Sequence, residues 1–316
     1  MGITDFTIEI AAGNRTAEEI SELAGLSLDD VLKVLPSGRL SYLPEGQMPW
    51  DLAQLAVEKL LARNEIDPDD IGLVVYAGSA EWGKPFWSPA GKIALGAGIH
   101  HAQCIEVSNF CNAGLAAVSL ANDQVKLGAH KAALVIIADP LSRLVDYPGR
   151  LLELFNFADG AAAVLISPAH KYELLGSAHR TDPQWVDYYY GAIRDGEVKV
   201  FREQTERTGL GEAFTENFVG LTRTVLEDAK HEVQDVAYFL VTHGNINLQR
   251  DYLRALGVTE DRSVFLYEED GHLGGVDVFL ALERLQEQGK LAPGAVVVLA
   301  TAGSGFTWGV AAVEVV

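Results

Sequence analysis

Hydrophobic and polar positions alternate in blocks along most of this chain. Residues 15–34, "RTAEEISELAGLSLDDVLKV", place a Thr before an acidic first turn and read as short helices. Residues 49–63 carry Leu52, Leu55, Ala56, Leu60 and Leu61 at helical spacing, which predicts an amphipathic helix. "IDPDDIG" breaks that pattern, and "LVVYAGSA" (73–80) follows as a buried strand. Further apolar runs near 104–108, 133–138, 161–167, 237–242, 263–267 and 295–301 alternate with helical stretches. Strands this continuously apolar are covered on both faces, so the pattern predicts a layered α/β fold.

Residues 168–210 lose the apolar rhythm and gain aromatics and charges. We read them as an insertion of loops and edge strands, giving an N-terminal half (1–167), inserted elements (168–220) and a C-terminal half (221–316). The halves look alike. "CNAGLAAVSLA" runs as a helix into the strand "ALVIIADP", and "HLGGVDVFLALERLQ" runs as a helix into "AVVVLATAG". Aligned on these helices, Cys111-x-x-Gly114 overlies His272-x-x-Gly275, which suggests a tandem duplication with two helix starts back to back.

Composition narrows the class. The 316 residues are 48% hydrophobic and 22% charged, ordinary for a globular protein. The start lacks a basic segment followed by an apolar one, no run suits a bilayer span, and two cysteines form no disulfide framework; a cytoplasmic protein without membrane contact is expected. A net charge of −20 argues against nucleic acid as a partner. No metal-ligand spacing or phosphate loop is present, so neither a metal nor a bound cofactor is expected.

Candidate chemistry concentrates at three corners. Cys111 falls where a helix of small residues begins, and a helix N-terminus favours an anion such as a thiolate. A small core-filling thiol is the plainer reading of that position. Cys104 lies inside an apolar strand and reads as core. His243 ends the strand "AYFLVT", where ligands of α/β sheets bind. His272 stands between glycines before the second helix. His100 and His101 read as a solvent turn.

Four segments, in order and at suitable spacing, carry a family likeness: "EVSNFCNAGLAAV", "FNFADGAAAVLIS", "VTHGN" and "GSGFTWGVAAVEVV". Through them the chain resembles the ketosynthase III-like branch of the thiolase superfamily over essentially its full length. The resemblance implies a five-layered αβαβα fold, a homodimer, and an acyl-enzyme on Cys111 formed from a CoA or acyl-carrier-protein thioester. The backbone N–H groups of Cys111 and Ser304 would hold the oxyanion, and His243 would act as base or proton donor.

One position departs from the condensing members. His272 stands where they carry Asn, Asp277 follows five residues later, and the His243 segment is also altered, to "HGNIN". An ionised Asp277 cannot donate a hydrogen bond to an enolate; it would orient His243 as a base toward a hydroxyl or amine acceptor. Three functions remain open: acyl transfer to oxygen or nitrogen in specialised metabolism, decarboxylative C–C condensation with a malonyl thioester, and a silent partner subunit. Pocket candidates are Phe86 and Trp87, near residues that cross the dimer in related enzymes, with Asn245 and Asn247. Trp82, Tyr188 and Tyr189 are further aromatic candidates, and Arg150, Arg250 and Arg254 are candidates for gripping the donor.

Overall fold

The computed structural model describes residues 1–203 and 207–316. Its first half forms a mixed sheet from β1 (Gly2–Ile10), β4 (Ile71–Gly78), β5 (Gln103–Ser108), β6 (Ala132–Ala138) and β7 (Gly160–Ser167), in spatial order β1-β7-β6-β4-β5. A small hairpin of β2 (Gly13–Thr16) and β3 (Arg39–Tyr42) sits beside it. Thr16 caps α1 (Ala17–Ala24) in a reciprocal box with Glu19, as its sequence predicts, and α2 (Leu28–Val34) follows.

The second half repeats the arrangement. β8 (Tyr172–Thr181), β11 (Val236–Val241), β12 (Val296–Gly303) and β13 (Thr307–Val315) lie in the order β8-β13-β12-β11. β11 and β12 are parallel, as are β4 and β6, while β13 runs antiparallel to β12 as β7 does to β6. The halves join where Gly2 and Ile3 of β1 pair with Glu173 and Tyr172 of β8.

Three apolar cores separate five layers. Leu52, Ala56 and Leu60 of α3 (Pro49–Asn64) and Ile93 of α4 (Pro89–Gly96) cover one face of the first sheet. Ala117, Val118 and Ala121 of α5 (Ala113–Lys126) and Val278, Phe279 and Leu282 of α8 (Asp277–Glu287) fill the space between sheets, against Val75 and Val135 on one side and Val297 and Leu299 on the other. Phe218 and Val225 of α6 (Leu210–Asp228) with Tyr252 and Leu253 of α7 (Ile246–Leu256) cover the far side of the second sheet. This αβαβα layering is the thiolase-like fold. Among the described residues no helix is long and apolar enough to cross a membrane.

Three expectations are corrected. The run 263–267 is not a strand: only Ser263 bridges to Phe239, because the Gln249 side chain of α7 takes the Val264 carbonyl at 3.0 Å. The segment 168–210 is not only loops and edges, since β8 pairs with β13 along its length and with β1 at its start. Its side chains are mostly half-buried or exposed, so apolar content underreports its central place. The boundary at 220 also falls inside α6. After a short turn at Pro183–Trp185, β9 (Tyr189–Arg194) and β10 (Glu197–Arg202) form a separate hairpin.

Candidate active site

The duplicated corners meet at the sheet ends. After β5 the chain turns sharply: Asn109 N–H donates to Gly78 O at 3.1 Å, and Phe110 adopts a left-handed φ of 52°. Asn112 pins the turn from below; its Oδ1 accepts from the Thr301 hydroxyl at 2.6 Å and its Nδ2 donates to Thr307 Oγ1 at 3.4 Å. Cys111 is thereby held half-buried just before α5. From the other half, Gly274 (φ 67°) turns the chain beside the thiol; an added Cβ would lie 3.7 Å from Cys111 Sγ and 3.1 Å from Leu141. Gly275 packs against Cys111 O and Gly114 N, so the overlaid Gly114 and Gly275 touch.

His272 Nε2 lies 3.3 Å from Cys111 Sγ. Its Nδ1 lies 2.6 Å from Asp277 Oδ2, which fixes the tautomer that leaves Nε2 toward sulfur. Asp277 is fully buried; it also accepts the backbone N–H of Leu273 at 2.8 Å and of His243 at 2.6 Å. The chain Cys111–His272–Asp277 is therefore continuous.

Asp277 does not orient the His243 ring, contrary to the sequence expectation. The nearest approach, Nδ1 to Oδ1, is 3.9 Å, beyond hydrogen-bond length. The carboxylate already serves His272 and two backbone donors. His243 is buried behind the cavity wall, and its Nε2 has no hydrogen-bond partner.

The two imidazoles are driven in opposite directions. Burial alone would lower both. It wins at His243, which is held below the usual histidine range despite the charge of Asp277. At His272 the Asp277 carboxylate, with Cys111 beside it, overcomes burial and holds the ring well above that range. Asp277 feels burial upward, but His272, His243 and its hydrogen bonds keep it below the usual carboxylate range. At pH 6.5 the His272 ring is thus mainly protonated and the His243 ring neutral, an outcome that ring ¹⁵N chemical shifts check. For stability the signs oppose: a raised His272 contributes below its unfolded pKa and loses this as pH rises, while neutral burial of His243 costs stability as pH falls below about 6.5.

A cavity of about 710 Å3 opens onto Cys111 and His272. Leu141, Leu154, Phe157, Phe214 and Phe306 make its wall largely apolar, and Ser304 and Asn245 also line it. Tyr188, Tyr189 and Arg202 reach it from the β9–β10 side, with Arg202 bonded to Glu153 at 2.5 Å. Gly303 packs directly on Asn109 and Asn112, which sets Ser304 beside the nucleophile turn.

The remaining candidates lie elsewhere. Asn247 gives its N–H to Asn245 Oδ1, the cap of α7, and is absent from the wall. Phe86 projects fully into solvent, and Trp87 packs on Trp50. Trp82 packs on Tyr76. Arg150 binds the carbonyls of Ala24 and Gly25 at the end of α1; Arg250 pairs with Glu260 and Arg254 with Asp251. None of the three arginines reaches the cavity because these nearer partners hold them. Cys104 is half-buried, and burial with the charge of Glu106 pushes its thiol up.

Sequence reasoning missed Asn112, Thr301 and Asn156. Asn156 gives its carbonyl to His272 N–H at 2.6 Å and its amide to Gly244 O at 3.1 Å, tying the two histidine loops together. Its signal lay in "FNFADGAAAVLIS", one of the four segments that carry the family likeness.

Fold and site together define a thiolase-like enzyme core built around a cysteine. The family described as 3-oxoacyl-[acyl-carrier-protein (ACP)] synthase III matches residues 105–183, and its C-terminal counterpart matches residues 226–315. The chain belongs to this family. It is 27% identical over 283 residues to a β-ketoacyl-[acyl-carrier-protein] synthase III of Rhizorhabdus wittichii, covering 85% of each chain. Its fold is similar to 3-oxoacyl-(acyl carrier protein) synthase III of Pseudomonas aeruginosa, with a TM-score of 0.87 at 19% identity over 100% of this chain and 99% of that one. It is also similar to OleA of Xanthomonas campestris, solved with lauric acid and lauroyl-CoA, with a TM-score of 0.86 at 19% identity over 99% and 98% of the two chains.

Proposed function

We propose that the protein is an acyltransferase of the ketosynthase III type, which takes an acyl group from a CoA or acyl-carrier-protein thioester and passes it to a hydroxyl or amine. The observation that carries this reading is the continuous Cys111–His272–Asp277 chain, with contacts of 3.3 and 2.6 Å.

In the first half-reaction the proton shared by Cys111 and His272 Nε2 rests on the imidazole, and the thiolate attacks the thioester carbonyl. The tetrahedral oxyanion is held by the backbone N–H groups of Cys111 and Ser304. Collapse expels the donor thiolate, which takes the proton from His272. In the second half-reaction the acceptor gives its proton to His272 and attacks the acyl-cysteine. Cys111 leaves as thiolate. Asp277 keeps the ring oriented and stabilises the imidazolium in both steps, without itself being protonated.

We further assign a homodimer acting in the cytoplasm. β5 ends the sheet with an open backbone edge among the described residues, and Phe86 on the neighbouring loop stands wholly uncovered, which suits a second copy on this face. A silent-subunit role is disfavoured because the thiol, its base and the cavity are all in place.

Incubation with an acyl-CoA or an acyl-carrier protein is expected to add one acyl mass per chain, mapped to Cys111 by peptide mass spectrometry. Acylation that persists in Cys111→Ala would contradict the assignment.

A further inference from the structure

The described mechanism leaves one buried acid on the cavity wall unused. Asp139 directly follows β6, at the sheet end where Cys111 follows β5, and both side chains line the same cavity. Asp139 packs on Gly78, whose carbonyl receives the Asn109 N–H, and Leu141, two residues on, flanks Gly274 together with Cys111 Sγ.

Asp139 is 7% exposed, and only one of its oxygens is occupied. Oδ1 accepts both the backbone N–H and the hydroxyl of Ser79, at 2.8 and 2.7 Å, whereas Oδ2 has no partner among the described residues. A purely structural carboxylate in this position would be expected to use both oxygens, as buried Asp159 does with Ser142 and Leu43. Burial, with the charges of Asp159 and Glu81, raises Asp139 to about 7, so ionising it without a partner is costly. A ligand that donates a hydrogen bond would relieve that cost.

The surrounding charge points the same way. Glu81 and Glu153 also line the cavity, and among its described residues the one Lys or Arg is Arg202, already bonded to Glu153. A second carboxylate on the acyl group would meet carboxylates on this wall.

We propose that Asp139 is a specificity-determining residue of the acyl site, whose free oxygen selects an acyl group bearing a hydrogen-bond donor, a hydroxyl or an ammonium. This rests on Cys111 being the acylated residue. Plain alkyl groups leave Oδ2 unpaired, and dicarboxylic acyl groups are repelled.

The test compares butyryl-, 3-hydroxybutyryl-, 3-aminobutyryl- and malonyl-CoA for the rate of Cys111 acylation, read by intact mass. A donor-bearing group is expected to load about tenfold faster than butyryl, and malonyl slowest. The hydroxy and amino arms show which donor is preferred. In Asp139→Ala the ratio of donor-bearing to butyryl loading should fall to near one, whatever the absolute rate. Asp139→Asn, which keeps the Ser79 contact, should lose the preference for the amino group should Asp139→Ala fail to fold. Equal loading of butyryl and both donor-bearing groups by the native enzyme, fastest loading of malonyl, or a preference that survives both substitutions would overturn the proposal. If no thioester loads, the acyl-enzyme reading itself fails and takes this inference with it.

Discussion

His272→Ala is expected to lower acyl transfer through Cys111 by about 10⁴–10⁶-fold, the range seen when the orienting carboxylate or the base is removed from a nucleophile–His–Asp unit. Among the described residues the ring is the only imidazole within reach of Sγ, at 3.3 Å, and it is the one aligned by Asp277. Both half-reactions should slow, because in the proposed mechanism the same ring holds the thiol proton and then takes the acceptor proton. Asp277→Asn should cost about as much, by releasing the tautomer that points Nε2 at sulfur. His243→Ala should cost only about tenfold, since its ring neither touches the thiol nor lines the cavity, and its link to Asp277 runs through the backbone. Single-turnover measurement of loading and of chase for each variant reads the two steps separately. A deficit larger for His243→Ala than for His272→Ala would reverse the assignment of the base.

Much of this architecture was legible in the chain. Continuous apolar runs at 133–138 and 161–167 read as strands buried on both faces, and the structure places them side by side as β6 and β7. The overlay of Cys111-x-x-Gly114 on His272-x-x-Gly275 anticipated a real contact, because small residues at both corners let the backbones touch. What stayed hidden was set by partners distant in sequence. β8 is central through backbone pairing with β13 and β1, which its mixed side chains do not advertise. The pairing of Asp277 with His272 rather than His243 depends on a half-turn of backbone: the carboxylate at the start of α8 folds back on the loop that precedes its own helix. Charge alone could not separate these two histidines. Arg150 illustrates the converse, since a cation that looked available to a donor is spent on the end of α1.

The second large effect concerns malonyl thioesters. Decarboxylation leaves an enolate, which needs neutral or cationic donors aimed at its oxygen; each one lost costs a few kcal/mol, roughly 10²–10³-fold. Here the raised His272 ring can supply one such donor, and it faces Cys111 Sγ with the Asp277 carboxylate behind it. His243 lies behind the wall with its free nitrogen buried, so it is not placed to donate into the cavity. The butyryl-enzyme should therefore be about 10²–10³-fold poorer at decarboxylating a malonyl thioester than a site with both donors in place, and it should transfer butyryl to a hydroxyl or amine instead. The direct measurement is labelled CO₂ released from malonyl-carrier protein presented to butyryl-loaded enzyme, alongside the fate of the butyryl group. The account predicts no CO₂ above the rate of the Cys111→Ala protein; CO₂ released one-to-one with a β-ketoacyl product would contradict it and establish condensation as the reaction.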